Sequence, residues 1–204
     1  MTETTFLDVE RIATSPCKDE PWQYGRVDDY FTSPELGTRL AQSFPAEGFK
    51  HVRQTSTGKD FAVEVRDDIT GPDLAAAWRA FLAELQGEAY LHATEKVTGI
   101  SLGDCSRTVT LWRYGPDMHL DPHTDEGKVA THVMYFNETW SPDDGGNLLI
   151  LGSNDLKDIR DTISPRLGSS VFICRSPSSW HAVQRLATGR EVSRRSVTVV
   201  YRRR

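Results

Sequence analysis

Apolar residues in the chain fall into two textures. Between residues 74 and 85, Leu74, Trp78, Phe81, Leu82 and Leu85 recur at three- and four-residue spacing after Gly71-Pro72. That spacing makes one apolar stripe on a helix. Gly87 interrupts it, and a second helical piece continues to Thr98-Gly99. An earlier helix is predicted where Ser33 can cap and Pro34 can occupy the first helical position, running to about Phe44-Pro45. From residue 107 the texture changes to short runs rich in β-branched and aromatic residues. These are Thr108–Tyr114, Val129–Phe136, Asn147–Leu151, Ser170–Cys174, His181–Arg185 and Ser196–Tyr201, with turn clusters such as Pro142-Asp143-Asp144-Gly145-Gly146 between them. Helices followed by many short strands predict a mostly β jelly roll with N-terminal α-helices packed on one face as scaffold. Without repeat or linker, residues 1–204 read as a single domain: a mixed α/β support region at 1–106 and a jelly-roll core at 107–204.

Composition narrows the class. With 38% hydrophobic and 26% charged residues the 204-residue chain is globular rather than disordered. It has no apolar run near the roughly 20 residues that span a bilayer, which predicts no membrane partner. The first ten residues lack the basic and apolar regions of a signal peptide. Cys17, Cys105 and Cys174 are scattered and odd in number, which predicts a reducing, cytoplasmic setting. The net charge of -5 divides into +6 over residues 181–204 and -11 over the rest. Arg202, Arg203 and Arg204 read as a solvated tail, and the acidic remainder offers no face for nucleic acid.

Candidate chemistry concentrates in the histidines. Three of the six lie within 14 residues: His119, His123 and His132. The segment from His119 to Asp125 holds His-x-Asp twice. Residues two apart on an extended chain point to one side, so an imidazole and a carboxylate so placed can share a metal. A second imidazole from another strand completes a two-histidine, one-carboxylate triad that leaves three positions of an octahedral ion open. Pro122 cannot donate to a ladder and is expected to end any strand through all four side chains. The strand to Phe136 then starts after it, which selects His123 and Asp125. His119 and Asp121 fall in the preceding loop, as polar residues or substrate contacts; His132 receives no role. His181, opening a late strand 56 residues beyond Asp125, supplies the third ligand. On the last strand Arg194 and Ser196 share a face, where a guanidinium and a hydroxyl can grip a carboxylate. Arg195 faces the other way, and Arg190 sits beside Gly189 in a turn.

In order and spacing, these residues resemble the prolyl-4-hydroxylase-like branch of the iron(II)/2-oxoglutarate-dependent oxygenases. The matching pieces are Tyr114-Gly115, Pro122-His123-Thr124-Asp125, Tyr135-Phe136-Asn137, Gly145-Gly146-Asn147-Leu148, Pro165-Arg166-Leu167-Gly168, His181 and Arg194-x-Ser196. The resemblance covers the C-terminal half and implies a double-stranded β-helix, the cupin-like jelly-roll variant. It implies Fe(II) on His123, Asp125 and His181, and 2-oxoglutarate held by Arg194, Ser196 and the Tyr114 hydroxyl. It further implies O2 as oxidant, ascorbate as a possible reductant, and decarboxylation of 2-oxoglutarate to succinate. Many members of the branch use Lys where this chain has Arg194. With Asp125 present, hydroxylation of an unactivated C–H bond is favoured. No appended recognition module is evident, so the expected substrate is a small molecule, an amino acid or biosynthetic intermediate, with a protein residue of the prolyl type as runner-up. Loops around 53–60, 115–121 and 152–162 are expected to frame the entrance. Two other classes compete: a cupin-type metalloenzyme that does not use 2-oxoglutarate, and a catalytically silent jelly-roll module. Histidine ligands must be neutral, so metal affinity is expected to weaken as pH falls through roughly 6.5.

Overall fold

A computed structural model describes residues 5–56, 59–189 and 191–204. Its helices lie where the apolar stripes predict them, with one addition. Helix α1 (Val9–Thr14) opens at Asp8, whose carboxylate accepts the Arg11 amide. Helix α2 (Pro34–Gln42) takes its proline in the first turn, where the missing N–H costs nothing. It stops short of the expected Phe44-Pro45 because Ser43 already leaves helical geometry and Pro45 disfavours it for Phe44. Helices α3 (Ala76–Glu84) and α4 (Glu88–Thr98) follow, and Gly99 closes the second in the left-handed region at φ 68°.

Twelve strands make up one continuous ladder among the described residues. They are β1 (Cys17–Lys18), β2 (Tyr24–Asp28), β3 (Lys50–Ser56), β4 (Lys59–Arg66), β5 (Cys105–Tyr114) and β6 (His119–His123). The rest are β7 (Ala130–Tyr135), β8 (Leu148–Leu151), β9 (Ile159–Ile163), β10 (Ser169–Cys174), β11 (His181–Val183) and β12 (Arg194–Arg203). One arm runs β1-β2-β10-β7-β12-β5-β4 and the other β6-β11-β8-β9. They join because β4 pairs with both β5 and β6, and β3 hangs on β4 as a hairpin. Every strand pairing is antiparallel, and the fold is the double-stranded β-helix.

Period-two alternation divides the large arm. Leu111, Met134, Phe172, Val197, Val199 and Tyr201 meet Trp78, Phe81, Leu82 and Tyr90 of the helices in the main core. Between the arms, Val133, Tyr135, Leu148, Ile150, Val171 and Ile173 form a second core. The residues left facing inward on β12 are Arg194, Ser196 and Thr198, and they line a cavity. Arg195 faces α2, where its guanidinium donates to the Ala41 carbonyl, as the alternation requires.

Three expected loops are partly strand. Residues 53–60 are mostly the β3–β4 hairpin, with 57–58 outside the described residues; 115–121 gives way to β6 at His119; and 152–162 contains β9. Pro122 does not end the strand but lies inside β6, against expectation. The β6–β11 pairing shifts register between its Leu120–Val183 and His123–His181 pairs. A proline fits in that irregularity because no ladder bond is asked of it. Arg190 lies outside the described residues.

His132 faces the helices, stacked 3.7 Å from the Phe172 ring, with Nδ1 2.7 Å from the Tyr90 hydroxyl. It is a core histidine. Burial lowers its pKa from the usual 6.5 to about 3. The folded protein therefore resists the proton that the unfolded chain accepts below about pH 6.5, so stability is lost as pH falls from there towards 3. Between pH 6 and 4 this residue should contribute a slope of about 1.4 kcal/mol per unit. Urea unfolding at several pH values, with His132→Leu as reference, checks it; equal slopes in the two proteins would contradict this account.

Candidate active site

Two strands and one turn bring the triad together. His123 ends β6, His181 opens β11, and the two are cross-strand partners with ring centroids 4.1 Å apart. Asp125 is not on a strand. It lies in the turn after β6 with φ +59°, a left-handed conformation that Asp tolerates better than most residues. The alternation argument thus fails for this pair; the turn, not a shared strand face, swings Asp125 beside His123. Ligand atoms of His123, Asp125 and His181 all lie within 4.8 Å of one another.

Hydrogen bonding fixes what these atoms present. His123 Nδ1 lies 2.9 Å from the Asp121 carbonyl and His181 Nδ1 2.8 Å from the Ser179 carbonyl. A carbonyl only accepts, so both rings carry their proton on Nδ1 and turn the Nε2 lone pair inward. Those lone pairs face Asp125: His123 Nε2 is 3.3 Å from Oδ1 and His181 Nε2 3.8 Å from Oδ2. Three acceptors converge with no proton of their own to share. A cation is what such a cluster fits, and a pair of neutral imidazoles with a carboxylate suits iron. Backbone carbonyls that hold the far nitrogens are the usual outer support of such ligands.

Protonation favours this state. Burial, then the neighbouring His123, lowers the His181 pKa to about 3. The expected weakening of metal binding near pH 6.5 is therefore not set by His181, which stays neutral well below it. Burial pushes the Asp125 carboxyl up, but contact with His123 and the His181 and Lys128 charges outweigh it and hold it well below the usual range. With His181 neutral, the Lys128 ammonium is the cation that stabilises the carboxylate, at 2.6 Å from Oδ1. Thr131 on β7 donates to Oδ2 at 2.8 Å.

The cavity, about 80 Å3, is lined by the triad together with Trp112, Tyr114, Thr131, Arg194, Ser196 and Thr198. Among the described residues two arginines are buried, and their surroundings differ. Arg66, at the end of β4, is paired with Asp73 at 2.6 and 2.9 Å and bonded to the Asp68 and Glu47 carbonyls. Arg194, 2% exposed, has no carboxylate partner among the described residues. It donates to Ser196 Oγ at 3.2 Å, lies 4.8 and 5.0 Å from the ring centres of Tyr114 and Tyr135, and its Nε is without a partner. A buried guanidinium left in that state is costly unless an anion enters. Burial raises the Tyr114 hydroxyl to about 12, so it stays protonated and can donate.

Sequence reading missed Lys128, Thr131 and Tyr135 as site residues. Tyr135 sits directly across from Ser196 in the β7–β12 register, its buried hydroxyl beside the Arg194 guanidinium. Its phase with Thr131 on β7 was the available signal. His119 and Asp121 do not join the triad. His119 is buried with Nε2 3.0 Å from Arg185 and Nδ1 3.3 Å from the Asp117 carbonyl, while Asp121 accepts the Asp60 amide at 2.8 Å. They tie β6 to the β3–β4 hairpin.

Comparison with known proteins agrees with this geometry. Residues 109–202 match the family described as the 2OG-Fe(II) oxygenase superfamily. None of the curated proteins gives a sequence match. Among solved structures, a Pseudomonas putida prolyl-4-hydroxylase is 22% identical at TM-score 0.63, covering 96% of this chain and 97% of its own. A Trichoplax adhaerens prolyl hydroxylase, solved with a hypoxia inducible factor peptide, is 14% identical at TM-score 0.66, with 96% and 87% covered. The α-ketoglutarate-dependent epimerase SnoN from nogalamycin biosynthesis is 17% identical at TM-score 0.59, with 96% and 82% covered. At these identities the likeness is one of fold.

Proposed function

We propose, from the match of residues 109–202 to the 2OG-Fe(II) oxygenase superfamily, that the chain is an oxygenase of this kind and hydroxylates an unactivated C–H bond of a small molecule, an amino acid or biosynthetic intermediate. The family works with Fe(II), 2-oxoglutarate and O2. Iron falls to His123, Asp125 and His181, and the distal carboxylate of 2-oxoglutarate to Arg194, Ser196 and Tyr114. One observation carries the reading: a buried arginine without a carboxylate faces the same cavity as three converging, proton-free acceptors. A cupin-type enzyme without 2-oxoglutarate would leave that arginine without purpose.

When bound, iron and 2-oxoglutarate supply oxidation by O2, with one oxygen atom going to the substrate and 2-oxoglutarate leaving as succinate and CO2. The protein's own residues do the rest. Arg194 and Ser196 orient the cosubstrate through charge-assisted bonds, with the Tyr114 and Tyr135 hydroxyls beside them. Thr131 holds the Asp125 carboxylate in place. Val133, Leu148, Ile173 and Val183 keep the cavity wall apolar.

A second reading, hydroxylation of a protein residue, is supported by the near-complete mutual coverage with the Pseudomonas putida prolyl-4-hydroxylase. A cytoplasmic location is proposed from three free cysteines; no described helix is long and apolar enough to cross a membrane.

The test is spectroscopic. Anaerobic addition of Fe(II) and then 2-oxoglutarate to metal-free protein should give a visible charge-transfer band that needs both. Metal uptake without the band would favour the cupin-type enzyme, and no uptake the silent module. Succinate release with small acids set against proline-containing peptides separates the two substrate classes.

A further inference from the structure

Lys128 lines the cavity and also a second cleft that forms its mouth, walled by Phe61, Val63, Trp112, Leu120 and Trp180. His123 and Asp125 of the mouth belong to the acceptor cluster; Glu126 and Lys128 are the charged side chains that remain among the described lining. The Lys128 ammonium sits on Asp125 Oδ1, the oxygen that also faces His123 Nε2. It therefore occupies the edge of the place where a divalent ion would lie. Two like charges so close, half out of water, repel strongly.

Loading the cluster with a metal ion thus leaves Lys128 with two choices. It turns outward into the mouth, or it stays and takes an anion as counter-charge. Either way its ammonium stands at the lip where a reacting molecule must approach, against a wall of aromatic and aliphatic side chains. The carboxylates of 2-oxoglutarate are already assigned, to the metal and to Arg194 deeper in. Glu126 is solvent-exposed on the same turn and meets Lys128 only at the cost of ordering two mobile side chains in water. We propose that Lys128 reads a carboxylate on the substrate, and that the substrate is a small organic acid with an apolar body. This rests on the oxygenase reading and gives it a substrate class.

The experiment uses the anaerobic Fe(II)–2-oxoglutarate complex of the full chain and watches its charge-transfer band. The probes are N-acetyl-L-leucine and phenylacetate, each against its neutral amide. The acids should perturb the band at concentrations at least about tenfold lower than the amides. Lys128→Met should erase that preference and Lys128→Arg should keep it, each measured with Fe(II) and 2-oxoglutarate at saturation for that variant. Separately, Mn(II) should bind metal-free Lys128→Met several-fold more tightly than the parent, because no ammonium has to give way; a purely structural lysine predicts the reverse. The proposal is overturned by equal response to acid and amide, by a preference that survives Lys128→Met, by weaker Mn(II) binding, or by silence from every probe up to about 10 mM. If no band forms, the oxygenase reading itself fails and takes this one with it; a band indifferent to all acids removes this inference alone.

Discussion

Arg194→Met should raise the dissociation constant for 2-oxoglutarate by about a hundred- to a thousandfold while leaving the metal-free protein as stable as before, or more so. The two halves come from one cause. Removing one partner of a buried charge pair typically costs 3–5 kcal/mol, which sets the loss in cosubstrate binding. In the metal-free protein no such pair exists among the described residues: the guanidinium is 2% exposed and its neighbours are a hydroxyl and two aromatic rings. Replacing it there by an apolar chain of similar length relieves a buried charge, and such exchanges are neutral or stabilising by about 1–4 kcal/mol. Arg66→Met is the internal control, because its ion pair with Asp73 makes it structural. Calorimetric titration and urea unfolding on both variants decide the matter. If Arg194→Met unfolds as readily as Arg66→Met while 2-oxoglutarate binding is unmoved, Arg194 is scaffold.

Asp125→Asn should abolish succinate formation and weaken metal binding by more than the 10–100-fold typical of outer partners of a ligand. Asparagine is the informative choice. It keeps the shape and accepts the left-handed backbone at φ +59°, where alanine would add strain of about 1–2 kcal/mol. The charge is lost, together with the acceptor oxygen that Lys128 bonds. The variant still folds, since its amide can accept from Thr131 as the carboxylate does. Metal affinity within threefold of the parent would mean that the cation sits elsewhere.

Some of this was legible in the chain and some was not, for identifiable reasons. Arg194 and Ser196 share a face because strand side chains alternate, a rule that needs no partner strand, and β12 obeys it to Thr198. The apolar stripe from Leu74 to Leu85 works the same way for α3. Asp125 illustrates the opposite case: its position follows from a left-handed turn, whereas the argument from Pro122 assumed a strand that the proline would break. That proline is accommodated by a register irregularity that belongs to the pairing of β6 with β11, not to either strand alone. Tyr135, Thr131 and Lys128 were missed for a related reason. Tyr135 meets Ser196 across the β7–β12 pairing, and the other two reach Asp125 around a turn. Such proximity is written in register and turn geometry, which single-strand periodicity does not carry. Strands β3 and β9 were hidden because their exposed, polar sequences look like loops, whereas β4 carries an alternation of Phe61, Val63 and Val65 that was there to be read.

His123 and His181 face each other across the seam between β6 and β11, where the register irregularity leaves few backbone bonds on either side of Pro122. An ion held by both Nε2 atoms therefore ties together two strands at the weakest point of their ladder. Its arrival should be felt as slower opening: amide protons of β6 and β11 should exchange with solvent more slowly in the Mn(II) form, while those of β5 and β12, joined over ten residue pairs, hardly change. The small arm of the sheet would then breathe when empty and close when charged, so that the bound ion also sets how readily the cavity opens.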